Sequence, residues 1–141
     1  MKRHILLFVL LFFSAAMITS AQSDLPAVGD LDEGWNAIGT DGFCSAGTPY
    51  QFYARNSEAS DNLLVYFNGG GACWFGQACD LEAEPNIHTP FADADSNNPN
   101  LGDGIFAMDN EANPFSDYDM VFVPYCTGDV FIGGGEQEYT Y

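Results

Sequence analysis

Positive charge is almost missing from this sequence: 141 residues carry three Lys or Arg against 20 Asp and Glu, a formal net charge of −17. Lys2 and Arg3 precede an apolar run at the N-terminus, so Arg55 is the sole strong base of the remainder. A chain so short of cations cannot neutralise phosphates, which excludes nucleic acid and anionic lipid as expected partners. Histidine is scarce too, with His4 and His88 alone. No CxxC pair occurs and His88 has no neighbour at ligand spacing, so no zinc site is expected. The glycines fit neither GxGxxG nor the GxxxxGK phosphate loop, which removes nucleotides from the candidate ligands. No cofactor is implied. The acidic residues are spread along the chain without a block of five, as on a solvated surface rather than in a disordered tail. A saline habitat explains such a surface; calcium binding is the sharper alternative.

Long apolar runs are also lacking. "ILLFVLLFF", from Ile5, is too short to span a bilayer, which takes about 20 residues. With Lys2, Arg3 and His4 before it and small residues behind it, including Thr19 and Ala21, it reads as a secretory signal peptide cleaved after Ala21. Residues 1–21 are thus expected to be removed, leaving residues 22–141 as one domain that is secreted or periplasmic, with no stable membrane insertion after cleavage. In such a compartment the four cysteines, Cys44, Cys73, Cys79 and Cys126, predict two disulfides, with three pairings open.

Residues 22–47 are polar, glycine-containing and without helical period, and are expected to form a loop-rich opening segment. "PYQFYAR", Pro49 to Arg55, is strand-like. The turn-like "NSEASDN" then suggests a hairpin or meander into "NLLVYFN". The near-continuous apolar run Leu63 to Phe67 suits a strand buried on both faces, as in a parallel sheet covered by helices. From Gly76 to Asn113 the chain is rich in Asp, Asn, Pro and Gly. "DADSNNPNLGDG" is expected to be a long surface loop, with a short helix near Leu81 to Glu84. It misses the EF-hand template at two demanding places, having Asn98 where glycine is needed and Gly104 where glutamate is needed. Met120 to Val123 is a second buried strand, stopped by Pro124, and its exit "CTGDVFIGGG" is again glycine-rich. If the two strands run parallel, both loops emerge at the carboxyl edge, where open α/β sheets bind ligands.

The triple glycine of "NLLVYFNGGGACW" places bare backbone at that edge. It serves either as an oxyanion hole of the HGGG type found after the third strand of α/β-hydrolases or as a tight turn. The motif alone does not decide. "CSAGTPYQFYAR", "NLLVYFNGGGACWFGQACD" and "GIFAMDNEANPFSDYDMVFVPYCTGDVFIG", in this order, closely resemble the N-terminal part of the pectin acetylesterase family. That family comprises secreted α/β-hydrolase-like carboxylesterases and includes the Notum enzymes. The resemblance covers roughly residues 34 to 134, nearly everything after the signal.

That resemblance implies an α/β fold, the N-terminal part of a hydrolase-like domain with a mostly parallel sheet, truncated before the nucleophile elbow. It implies hydrolysis of acetyl or other acyl esters on polysaccharide or related substrates by a Ser-His-Asp mechanism. The Gly70 and Gly71 N–H groups fall at the family's oxyanion donors, a third donor following the nucleophile. The family's disulfide pattern implies Cys73 with Cys79 and Cys44 with Cys126. Trp74 and Asp129, where the two strands deliver their loops, are candidate pocket residues; the plainer roles are core packing for Trp74 and capping of a following helix for Asp129. Bacterial relatives resemble "CTGDVH.G" here, and Phe131 occupies the histidine position, so any polar role of that position is lost. No GxSxG elbow occurs. Ser45, in "FCSAG", follows no buried strand, and His88 lies in a polar loop, so the two do not read as a triad. The expectation is the front portion of a longer esterase, inactive by itself. The rival is a non-catalytic, disulfide-bonded module binding carbohydrate or calcium at the same edge.

Overall fold

The computed structural model describes residues 25–59, 61–82, 87–92, 97–99 and 102–134. The expected signal peptide lies outside the described residues, as do Ala83 and Glu84 of the expected short helix; Leu81 and Glu82 form a turn. Among the described residues four strands carry the chain: β1 (Gly34–Phe43), β2 (Pro49–Asn56), β3 (Leu63–Phe67) and β4 (Asp119–Val123). Helix among the described residues is confined to short 3₁₀ turns such as Val28–Asp30, Gly76–Cys79 and Gly104–Phe106.

The sheet order is β1-β2-β4-β3. β3 runs parallel to β4, from Leu63 opposite Asp119 to Phe67 opposite Val123, whereas β1–β2 and β2–β4 are antiparallel. The sheet is therefore small and mixed, and the expected parallel character is confined to the β3–β4 pair. Two further expectations are corrected. The opening segment is not merely loop, because Gly34 to Phe43 forms the edge strand β1. It is glycine-rich and exposed over most of its length, so its own sequence carries no alternating signal. The hairpin partner of β2 is this strand rather than β3. A turn closed by Cys44 N–H to the Thr48 carbonyl (2.9 Å) joins them, with Gly47 left-handed at φ +75°. β4 then inserts between β2 and β3, a long-range pairing that no local pattern announces.

β3 was expected to be covered on both faces, and it is covered on one. Leu64 and Tyr66 turn inward, while Leu63, Val65 and Phe67 stay 61%, 48% and 59% exposed. The inner face is aromatic. Tyr66 stacks on Phe122 at 5.5 Å, Tyr53 meets Phe122 edge-on at 6.1 Å, and Phe106 presents its edge to Trp35, Tyr66 and Phe122. Such pairs add about 0.5–1.5 kcal/mol each beyond the area they bury. A second buried cluster, Cys44, Cys126 and Ala92 with Tyr50 against it, closes the end of the sheet from which β3 and β4 exit.

Candidate active site at the glycine loop

β3 hands its chain to the glycine loop one residue past its last pair, where Asn68 N–H donates to the Val123 carbonyl at 3.0 Å. The backbone then turns through Gly71 at φ +86°, a conformation open to glycine. A second requirement is steric. A Cβ on Gly71 would strike the Ile87 carbonyl oxygen, and one on Gly70 would lie 2.5 Å from Tyr125 Cδ1. The close approach inferred from the triple glycine is thus made by the protein itself: residues 87–89 cross the loop as an antiparallel bridge between Gly71 and His88. Thr89 N–H donates to the Gly70 carbonyl at 2.7 Å. The N–H groups of Gly70 and Gly71 donate to no acceptor among the described residues.

β4 delivers its exit beside this loop, as its parallel register with β3 requires. Cys73 N–H donates to the Gly128 carbonyl at 2.7 Å, and Gly128, at φ +74°, admits Cys73 Cβ where its own Cβ would be. Two disulfides tie the pair down. Cys73–Cys79 closes a short loop over the Gly76–Cys79 turn, and Cys44–Cys126 joins the β1–β2 turn to the β4 exit.

Trp74 is 67% exposed and tilted against Phe75 at 5.8 Å, so it is not packed into the core. Asp129 caps its own turn rather than a helix. Its carboxylate accepts from the Thr127 hydroxyl, from Phe131 N–H at 3.1 Å and from Gly133 N–H at 3.1 Å. Burial opposes its ionisation, but these donors outweigh that and hold its carboxyl below the usual range. The turn is strained: Val130 and Phe131 are left-handed at φ 51° and 60°, an outlier for a β-branched residue. The Tyr125 hydroxyl, buried beneath, accepts from Val130 N–H at 2.9 Å, and Phe131 packs its ring on Phe67 and Tyr125. Its place is therefore filled by aromatic packing.

Asn97, and the contact between Ser45 and His88, escaped sequence reasoning. Asn97 is 2% exposed; its amide donates to the Phe91 and Tyr125 carbonyls at 2.9 Å, and its oxygen accepts from Asn68 at 2.7 Å. The stretch expected to be a surface loop thus buries Asn97, Asn98 and Pro99, while residues 93–96, 100 and 101 lie outside the described residues. Ser45 and His88, read from the sequence as unrelated, meet: Ser45 Oγ lies 2.9 Å from His88 Nε2, and His88 is buried rather than lying in an exposed polar loop. No carboxylate is bonded to the His88 ring among the described residues, so these residues bring together a Ser–His pair without a third member. "FCSAG" and "NIHTP" are far apart in sequence, and no local signal joins them. Among the described residues no three His, Cys, Asp or Glu side chains gather as metal ligands.

One cavity, of about 370 Å³, lies at the glycine loop and is lined by Gly70, Ile87, His88, Thr89, Pro90 and Phe91; another, of about 290 Å³, lies at the β4 exit between Phe43, Tyr50, Thr127 and Asp129. A larger hollow of about 400 Å³ sits beside Trp35, which pairs with Arg55 level with the start of β4, at the opposite end of the sheet.

The parallel β3–β4 pair brings two disulfide-tied glycine loops side by side at one end of a small mixed sheet, and the Gly70 and Gly71 N–H groups on one of them donate to no acceptor among the described residues. The sequence profile of the Pectinacetylesterase family matches residues 35–141, and the chain belongs to that family. It is 30% identical over 95 residues to the Homo sapiens palmitoleoyl-protein carboxylesterase NOTUM, covering 67% of this chain and 19% of that protein. It is 33% identical over 91 residues to a Danio rerio protein named inactive palmitoleoyl-protein carboxylesterase notum1b, covering 64% of this chain and 65% of the relative. Against Mus musculus NOTUM the identity is 31% over 91 residues, 64% of this chain and 18% of the relative. The chain thus spans about a fifth of the human and mouse proteins.

Proposed function

We propose that this chain forms the N-terminal part of a secreted carboxylesterase that hydrolyses acetyl or other acyl esters on polysaccharide or related substrates. The Gly70 and Gly71 N–H groups serve as oxyanion donors. The observation that carries this reading is the pair of N–H groups, without an acceptor among the described residues, on a loop directly after the third strand, where α/β-hydrolases take one of theirs. Attack on an ester carbonyl moves negative charge onto its oxygen, and donors already aimed there stabilise it without reorganising. The bridge to residues 87–89, the Cys73–Cys79 disulfide and the Cys73 N–H to Gly128 bond supply that rigidity. One such donor is worth about 10²–10³ in kcat in a characterised hydrolase. Family membership and the carboxylesterase names of the relatives support the reaction class.

On this reading the nucleophile is supplied from outside these 141 residues, none of whose serines lies in a GxSxG elbow. Trp74 and Asp129 flank the site, Trp74 as an exposed aromatic wall and Asp129 as the organiser of the β4 exit turn. The test is hydrolysis of p-nitrophenyl acetate by the product of the complete reading frame and by the 141-residue chain. Turnover by the longer product and none by the chain is expected. Turnover by the chain itself would overturn the assignment of the nucleophile, and none by either would turn the reading to a carbohydrate- or calcium-binding module.

A further inference from the structure

We infer that His88 and Ser45 form a positioning latch that holds the Gly70–Gly71 backbone in place; the inference rests on those glycines being the oxyanion donors. Three loops meet at His88. Its backbone bridges Gly71, and the Thr89 N–H beside it donates to the Gly70 carbonyl at 2.7 Å. Its ring lies against the β4 exit, with Cδ2 3.4 Å from where a Gly128 Cβ would sit. Its Nε2 is 2.9 Å from Ser45 Oγ. Ser45 is itself anchored, because its N–H donates to the Cys126 carbonyl at 2.9 Å and its neighbour Cys44 is bonded covalently to Cys126.

A mechanical path therefore runs from the Cys44–Cys126 disulfide through Ser45 and the His88 ring to the peptide groups of Gly70 and Gly71. The glycine loop needs such support. Three consecutive glycines have no side chains to pack and lose more freedom on ordering than any other residues. The disulfide at Cys73 fixes the far end of the loop, and Asn68 fixes the near end through Val123 and Asn97. The middle is held by segment 87–89, and among the described residues the hydrogen bond that ties the His88 side chain of that segment to the body of the protein is the one to Ser45. Among the described residues no carboxylate is bonded to the imidazole, and Ser45 accordingly acts as a brace rather than a nucleophile.

The test uses the product of the complete reading frame with Ser45→Ala, His88→Leu and His88→Gln, read by kcat and KM on p-nitrophenyl acetate and by amide hydrogen exchange. Ser45 is exposed, so its alanine variant is expected to fold even if His88→Leu does not. Ser45→Ala should lower kcat about tenfold with KM held within about twofold, as expected for misplaced transition-state donors. Thr89 N–H exchange should rise about tenfold as the segment opens locally. His88→Gln, which keeps a hydrogen-bonding group near Nε2, should restore much of both. Unchanged Thr89 exchange in Ser45→Ala overturns the latch. Complete loss of turnover with exchange unchanged would overturn it too, making Ser45 part of the chemistry. If the unmodified protein hydrolyses no ester, the esterase reading falls, while the exchange result still decides the latch.

Discussion

Adjacent glycines of one motif answer to different constraints, and substitution should separate them. A Cβ on Gly69 meets nothing within 4 Å, whereas one on Gly71 strikes the Ile87 carbonyl at a left-handed φ of +86°. Gly69→Ala should therefore change stability by about 0.5 kcal/mol or less, and Gly71→Ala should cost more than about 2 kcal/mol, read from denaturant midpoints. Asp129 adds a pH signature. Its folded carboxyl is held below its ordinary value by the Thr127, Phe131 and Gly133 donors, against the opposing effect of burial. It thus contributes stability above the unfolded carboxylate range, and that contribution is lost as pH falls through the folded value. Phe131 and Gly133 amide exchange should accelerate on acidification, and Asp129→Asn should remove that dependence. Tyr50 works at the other end of the scale, since burial pushes its phenol up from 10.0 to about 12. The unfolded chain releases that proton first, so stability should fall between those two values in an alkaline melt, and less steeply in Tyr50→Phe.

The two disulfides contribute differently because they close different lengths of chain. Cys44–Cys126 spans 82 residues and Cys73–Cys79 spans 6. In the chain-entropy picture the first is worth about 4 to 5 kcal/mol and the second about 2 kcal/mol. Replacing both cysteines of the long bridge by serine should lower the melting temperature more than the same change in the short one. The short bridge is instead expected to show in the mobility of the glycine loop. Among the strands, β3 and β4 were legible as apolar runs, and their shared parallel edge follows once they pair. β1 was not legible: "GWNAIGTDGF" is poor strand sequence, and it is a strand because β2 offers it a free edge and a short turn returns the chain. The partner of the glycine loop was equally hidden, since "NIHTP" meets Gly70 and Gly71 through a contact that neither segment encodes alone.

Across the molecule, a net charge of −17 faces an uncovered apolar strand face. Repulsion within the folded chain is strongest at low ionic strength, where the Debye length is about 30 Å at 0.01 M, so the melting temperature should rise with added sodium chloride. Leu63 and Val65 stay open on β3, which is also one of the two unpaired edges of the described sheet. A hydrophobic edge of that kind binds dyes and other chains. The 141-residue chain is therefore expected to bind anilinonaphthalene sulfonate and to self-associate as salt screens its charge. A monomer at high salt without dye binding would show that another segment covers this face.

What the sequence settled alone was chemical and local. Composition made polyanionic partners an unfavourable expectation, the even cysteine count predicted the two bridges, and the glycine loop with "NPFSDYDMVFVPYCTGDV" carried the family resemblance. These are properties of residue type, turn chemistry and short-range pattern, which need no knowledge of distant neighbours. What the tertiary structure decided was pairing at long range: β4 between β2 and β3, Asn97 beneath the loop, His88 on Ser45, and segment 87–89 across Gly71. Each depends on bringing together segments separated by tens of residues. The burial and hydrogen bonds that stabilise such pairings exist only once the chain has folded, so no window of sequence contains them.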